Sequence, residues 1–439
     1  MTCWRRTARI LGGLVFVACA GTGTGNPTDP DSGGGLPKGP AQVKLYMSAV
    51  QRLTSPDLDT TSTDAFGSDN RAFAFDLYRQ LAEPDQNLFF APYSISVALA
   101  MAYAGAETTT EAEMRSALHF TLPEPDLHAA FDATSRAIQA RSEELPAGST
   151  GDGFDLHIVN QAWGQIDYPF LDSYLDILAA YYGSGLFGVD FADSEPVRQT
   201  INGWVLDQTN DRIEELLPQD SITNLTRLVL TNALYFKASW ASKFDPASTT
   251  SGSFHAPAGD RSVPMMHQVL KAAYVEEADY QAVELPYLSD AVRMLLILPA
   301  EGAFEQIAGS LDEAFFQQLR AARSQYQVTL TLPRFEFESE NPLKAPLSAL
   351  GMPGAFVETA DFSGIAGGVQ PLWIDEVYHK AFVAVDEQGT EAAAATAVVI
   401  ATLSAPPSAE AIFERPFLFA IVDEPTGQIL FLGQLVDPG

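Results

Sequence analysis

Few residues in this sequence are suited to bond-making chemistry, and their spacing argues against most enzyme classes. The six histidines, at 119, 128, 157, 255, 267 and 379, are scattered, with no HExxH and no pair at ligand spacing. The only cysteines, Cys3 and Cys19, lie at the extreme N-terminus. The body can therefore hold neither a disulfide framework nor a cysteine-based metal site. No GxSxG nucleophile elbow and no phosphate-binding loop occurs. No enzyme, metal site or cofactor is expected. One stretch stands apart: Glu387-Gln-Gly-Thr-Glu-Ala-Ala-Ala-Ala-Thr-Ala-Val-Val-Ile-Ala-Thr-Leu-Ser404. Residues 392–403 are uncharged, mostly small or β-branched, and free of Gly and Pro. Such a composition favours a strand, and exposed strands of this kind invite pairing with a sheet edge. In a strand, one face would carry Thr390, Ala392, Ala394, Thr396, Val398, Ile400 and Thr402, none charged and the leading four small. The other would carry Glu391, Ala393, Ala395, Ala397, Val399, Ala401 and Leu403, with a single charge at its start. Taken alone, the same run is equally compatible with a low-complexity linker.

The elements around this segment follow from periodicity. Phe73, Leu77 and Leu81 fall at i, i+4 and i+8, the apolar stripe of a helix over 69–83. Helices are also expected over 95–103, 108–118, 168–182 and 196–217, the last stopped by Pro218. Strand patterns mark 154–163, 228–236, 280–286, 292–299, 327–337, 377–385, 417–422 and 429–435. Helices come early and strands crowd the second half, an order that suits an α+β domain rather than a doubly wound sheet.

Composition narrows the partners. The 439 residues are 46% hydrophobic and 10% aromatic, ample for a large core. Against 25 basic residues stand 56 acidic ones, a net charge of −31. That balance argues against nucleic acid and against a heparin-type polyanion, both of which need a basic face. Residues 1–19 read as an export signal: Arg5, Arg6 and Arg9 lead a short apolar run, Ile10 to Ala18. The ending Phe16-Val17-Ala18-Cys19 resembles a bacterial lipobox, with Cys19 as the lipidated residue. Ordinary secretion with cleavage nearby is the alternative. Residues 20–65, rich in Gly, Thr, Pro, Asp and Ser apart from an apolar patch at 43–50, are expected to form a flexible linker, and 66–439 the folded domain.

The body resembles the serpins. Asn87-Leu-Phe-Phe-Ala-Pro-Tyr-Ser-Ile-Ser, running into Ala-Leu-Ala-Met-Ala-Tyr-Ala-Gly-Ala, is similar to an early signature of that family. Thr231-Asn-Ala-Leu-Tyr-Phe-Lys-Ala-Ser-Trp240 with Phe244 resembles its central strand. Val263-Pro-Met-Met266, Val283-Glu-Leu-Pro-Tyr287, Leu332-Pro-Arg-Phe335, Leu350-Gly-Met352 and Ala360-Asp-Phe-Ser-Gly-Ile365 have counterparts there. So do Arg415-Pro-Phe-Leu-Phe419 and Thr426-Gly-Gln-Ile-Leu-Phe-Leu-Gly433. About ten such strings stand in family order.

The resemblance implies an α+β serpin fold of three β-sheets, about eight or nine helices and an exposed reactive-centre loop. It implies a suicide inhibitor of a chymotrypsin-like serine protease, with elastase-like or subtilisin-like targets as alternatives. A non-inhibitory serpin, acting as a binding or chaperone module, is the rival. The scissile bond would be Leu403–Ser404, within an antichymotrypsin-like loop. The hinge would comprise Glu387, Gly389, Thr390, Glu391, Ala392, Ala393, Ala394, Ala395 and Thr396. Glu387 would pair with Arg334 near Trp240, at the breach of sheet A. Ser94, Asn232 and His379 would form a hydrogen-bonded latch at its middle, with Ala91 replacing a common serine. None would be catalytic. The protein is expected to be a monomer, exported, and either secreted or held at the bacterial envelope through a lipid anchor, its only membrane contact.

Overall fold

The computed structural model describes residues 36–54, 58–142, 154–368, 371–390 and 406–439. Its strands are β1 (Lys44–Tyr46), β2 (Leu88–Phe90), β3 (Phe154–Gln165), β4 (Leu186–Val189), β5 (Leu228–Ser239), β6 (Thr250–Ala256), β7 (Gly259–Glu276) and β8 (Tyr280–Pro286). They continue with β9 (Val292–Pro299), β10 (Ser324–Pro333), β11 (Phe335–Pro342), β12 (Val377–Val385), β13 (Gly389–Thr390), β14 (Ser408–Ile412), β15 (Phe417–Asp423) and β16 (Gln428–Leu435). A seven-stranded sheet runs β1-β4-β3-β5-β13-β12-β11. The other strands form a nine-stranded sheet, β14-β10-β7-β8-β9-β15-β16-β2, with β6 paired to β7. Two of the three expected sheets thus run together, because the long β7 pairs with β10 along 265–274 and with β8 at 273–276.

Local chemistry sets the helices that back these sheets. Asp59 caps Thr60–Leu81 by accepting the Ser62 N–H at 2.7 Å. This helix buries Phe66, Phe73, Leu77 and Tyr78. Pro92, whose missing N–H costs nothing in a first turn, opens Pro92–Tyr103, a helix buried on every side. It packs behind β3, β5 and β16. The described residues hold ten α-helices, more than the eight or nine expected. Several are one or two turns, such as Phe304–Gly309 and Ser363–Ala366. The helix expected over 196–217 ends instead at Gln208, because Asn210 and Asp211 adopt φ of 51° and 61°.

One alternating run proves to be two strands. Residues 327–337 split at Arg334, with β10 in the nine-stranded sheet and β11 in the seven-stranded one. Pro333 cannot donate to a ladder, and Arg334 sits at the crossing with its N–H on the Pro264 carbonyl at 2.9 Å.

The linker expected over 20–65 is corrected where the structure describes it. The apolar patch pairs: Lys44, Leu45 and Tyr46 lie antiparallel to Gly188, Phe187 and Leu186 as an added edge strand. Tyr46 packs edge-on against Phe170 at 5.2 Å. Arg52 reaches Asp132 at 2.7 Å, and the Leu53 N–H donates to the Ala180 carbonyl at 2.8 Å. The folded body therefore includes residues well before 66. Burial pushes the Asp132 carboxyl above its ordinary value in spite of Arg52, and its Oδ2 has no hydrogen-bond partner among the described residues. Removing Arg52 takes away its hydrogen-bonded counter-charge and leaves only the weaker attraction of Arg136. Arg52→Ala should cost about 3–5 kcal/mol in urea unfolding, and adding Asp132→Asn should restore much of it. Equal stability of Arg52→Ala and the parent protein would return this segment to the status of a linker.

Candidate functional site

The site lies where β5 and β12 part. Val377, Tyr378, His379 and Lys380 pair in parallel with Leu230, Thr231, Asn232 and Ala233. Higher up, β13 stands between the same two strands, with Thr390 opposite Val385 on one side and Ala238 on the other. Between these levels, 381–384 and 234–237 share no ladder pairing. The sheet is a fork, closed below and entered from above by two residues of the expected hinge. Gly389 is seated so closely that a Cβ there would lie 2.0 Å from the Ala238 carbonyl oxygen.

A turn at 386–388 returns the chain from β12 into β13, and polar contacts hold it. The Asp386 carboxylate accepts the backbone N–H groups of Gln388 and Gly389 at 2.7 and 3.2 Å. Trp240 donates its indole N–H to the Asp386 carbonyl at 3.0 Å and stacks on Tyr287, ring centroids 4.6 Å apart. The backbone N–H groups of Trp240 and Phe244 donate to the carbonyls of Gln388 and Glu387. The buried Glu387 carboxylate takes the Thr249 hydroxyl at 2.6 Å and forms the expected ion pair with Arg334. Burial pushes its carboxyl up, but the Thr249 and Arg334 contacts outweigh this and hold it below its ordinary value. Thr390 faces inward, its hydroxyl 2.8 Å from the Tyr287 hydroxyl.

A second polar cluster lies under the closed part of the seam. His379 is buried with Nδ1 2.7 Å from Asn232 Oδ1, while its Nε2 accepts the Ala91 backbone N–H at 3.0 Å. A carbonyl oxygen only accepts, so Nδ1 carries the proton and the ring is neutral. Asn232 Nδ2 donates to Ser94 Oγ at 2.6 Å and Asn160 Oδ1 at 2.5 Å. Burial lowers the His379 pKa to about 3. At Ala91 the contact with His379 is made by the backbone N–H and needs no side-chain hydroxyl.

Glu387, Gly389, Thr390, Trp240 and Arg334 therefore meet at the fork, and Ser94, Asn232 and His379 beneath the seam. Glu391, Ala392, Ala393, Ala394, Ala395, Thr396, Leu403, Ser404 and Cys19 lie outside the described residues. The residue-by-residue reading missed Asn160, Tyr287 and Thr249. Asn160 had a signal, a polar residue buried within an apolar strand. Tyr287 belonged to a recognised string, but its contact with Thr390 needs register to see. Thr249 had none. Among the described residues, no group of three or more His, Cys, Asp or Glu could hold a metal ion.

The family model described as "Serpin (serine protease inhibitor)" matches residues 68–438. A serpin-like protein of Thermococcus kodakarensis is 43% identical over 84% of each chain. The human leukocyte elastase inhibitor is 35% identical, covering 85% of this chain and 100% of its own. Among solved structures, the thermophilic serpin tengpin in its native state superposes with a TM-score of 0.78 at 28% identity, over 90% of this chain and all of its own.

The neutral state of His379 has a consequence for acid stability. An exposed histidine titrates near 6.5, whereas the folded chain holds this one to about 3. Below 6.5 the unfolded state takes a proton that the native state refuses. The contribution is therefore complete above pH 6.5 and lost toward pH 3, by about 1.4 kcal/mol per pH unit. His379→Gln should flatten that part of the pH dependence of the urea midpoint. An identical slope in both proteins would contradict the assignment.

Proposed function

Because the chain belongs to the serpin family, we propose that it is an inhibitory serpin that traps a chymotrypsin-like serine protease by inserting its cleaved loop between β5 and β12. The observation that carries this reading is the seated hinge. Gly389 and Thr390 already occupy the fork as a short strand. If that register continues, Thr396 comes to lie between Asn232 and His379, whose present pairing it would replace. Thr390 faces inward, so the even-numbered residues would follow it: three small side chains, then Val398 beside Leu230 and Ile400 beside Leu228. Burying each of these two would contribute about 1.5–3 kcal/mol. The single charge, Glu391, would face outward.

The chemistry belongs to the target. Its serine attacks the Leu403 carbonyl, Ser404 leaves with the free amine, and an acyl-enzyme forms. Insertion of 391–403 then carries the ester over ~43 Å at about 3.3 Å per residue, and the distorted protease fails to deacylate. This chain supplies no catalytic group. Leu403 suits a hydrophobic primary pocket. The relative named for inhibiting leukocyte elastase supports protease inhibition in general, and cleavage after Ala401 or Thr402 would suit an elastase-like enzyme. Export with a lipid tether at Cys19, as residues 1–19 suggest, is part of the same proposal.

Mixed with chymotrypsin, the protein should give a covalent complex stable on a denaturing gel, and a released fragment starting at Ser404 by mass spectrometry. Complete cleavage with no such complex would favour the binding or chaperone reading. Thr396→Arg would drive a charge into the cluster of Ser94, Asn160 and Asn232. It should turn the inhibitor largely into a substrate, raising the moles of inhibitor consumed per protease severalfold. An unchanged stoichiometry would sink the register argument.

A further inference from the structure

The residues between helix Ser194–Gln208 and β5 run across the outer face of the seam. Ile213, Leu216, Leu217 and Ile222 are buried in a small second core with Trp163 of β3 and Val229 of β5. Asn202 fixes the segment to its helix through both the N–H and the carbonyl of Leu217, at 2.8 and 2.9 Å. The same segment also reaches the opposite strand. Tyr378 of β12 packs against the second core, and Thr226 Oγ1 donates to Asp375, just before β12, at 3.2 Å. Arg212 lays its guanidinium over the ring of Phe382, 5.6 Å from the centroid. Phe382, paired to Glu338 of β11, belongs to the interval in which β12 does not pair with β5, above the last β5–β12 pair at Lys380 and below the seated hinge at Val385.

We propose that Arg212 on Phe382 is a latch across the seam that sets how fast β5 and β12 part for an incoming strand. The proposal rests on the reading that the loop enters between these strands. Admitting one strand moves β12 from β5 by about 4.8 Å. The anchor of Arg212 stays with β3 and β5 through the second core, whereas Phe382 leaves with β12. A cation–π contact needs the cation within about 6 Å of the ring, so this one is lost on opening. The residue arriving opposite Phe382, in the register of β13, is Ala393, whose methyl group offers the guanidinium no replacement. The contact thus favours the closed sheet alone, and it is met immediately below the hinge. At an exposed site it should slow opening about two- to fivefold.

The test uses the full-length protein and a fluorescent synthetic peptide of sequence 390–403, whose entry is followed by anisotropy. Arg212→Ala and Phe382→Leu should each speed entry about two- to fivefold, and the double variant no further. Arg212→Lys should keep most of the parent rate. Arg261→Ala, which removes an ion pair to Asp437 far along the sequence, serves as a comparably mild destabilisation. It should leave entry unchanged. Additive effects of the two single variants, an unaltered rate in Arg212→Ala, equal acceleration by Arg261→Ala, or no peptide entry into any variant would each overturn the latch. No protease takes part, so failure to form a covalent complex would defeat the inhibitory reading while this result stood.

Discussion

Four residues of β12, Val377 to Lys380, hold directly to four of β5, Leu230 to Ala233, and above them the strands part around Gly389–Thr390. Between the last of these pairs and Val385 the two strands do not pair with each other. The turn at 386–388 leads the chain from β12 into this interval, and the residues that follow have the composition of a strand. Ladder hydrogen bonds contribute about 0.5–1.5 kcal/mol each, so a strand entering there would be stabilised along its length. Most other features of the site bear on how this geometry persists.

Two polar clusters give the seam its character. At the top, Asp386, Trp240, Thr249 and Arg334 fix the turn, so Thr390 enters inward side first. In the middle, His379, Asn232, Ser94 and Asn160 place hydrogen-bonding groups where an apolar core would have closed the sheet more tightly. Buried polar groups are costly to leave unpaired, and Asn160 Nδ2 has no partner among the described residues. On the proposed register, the residue that would arrive at this cluster, Thr396, carries a hydroxyl able to take up one of these hydrogen bonds. The neutral, deeply buried imidazole acts as a structural acceptor and donor.

Much of this was legible in the sequence, for identifiable reasons. Composition set the run 392–403 apart, and the family strings placed Trp240, Arg334 and Glu387 near one another, as the contacts around the turn at 386–388 have them. Apolar runs and alternation found many strands but not the long β7. Residues 327–337 read as one strand, although their apolar positions, 328, 330 and 332 and then 335 and 337, change phase at Pro333-Arg334, where the chain passes between sheets. The Gly- and Pro-rich composition before residue 66 suggested a tether, yet three residues, Lys44 to Tyr46, suffice to extend an edge. Asn160, Tyr287 and the Arg212–Phe382 contact depend on partners brought together only by sheet register or packing. Periodicity within one segment cannot reveal these.

An inhibitory serpin requires that the native fold cease to be the most stable arrangement of the chain once its loop is cut. Calorimetric unfolding of the intact protein and of protein nicked in the loop addresses it directly. If the loop enters the seam, the nicked form should unfold well above the intact one, by more than about 10 °C for a chain of this size. Coincident transitions would mean that cutting releases nothing, and the account would fail.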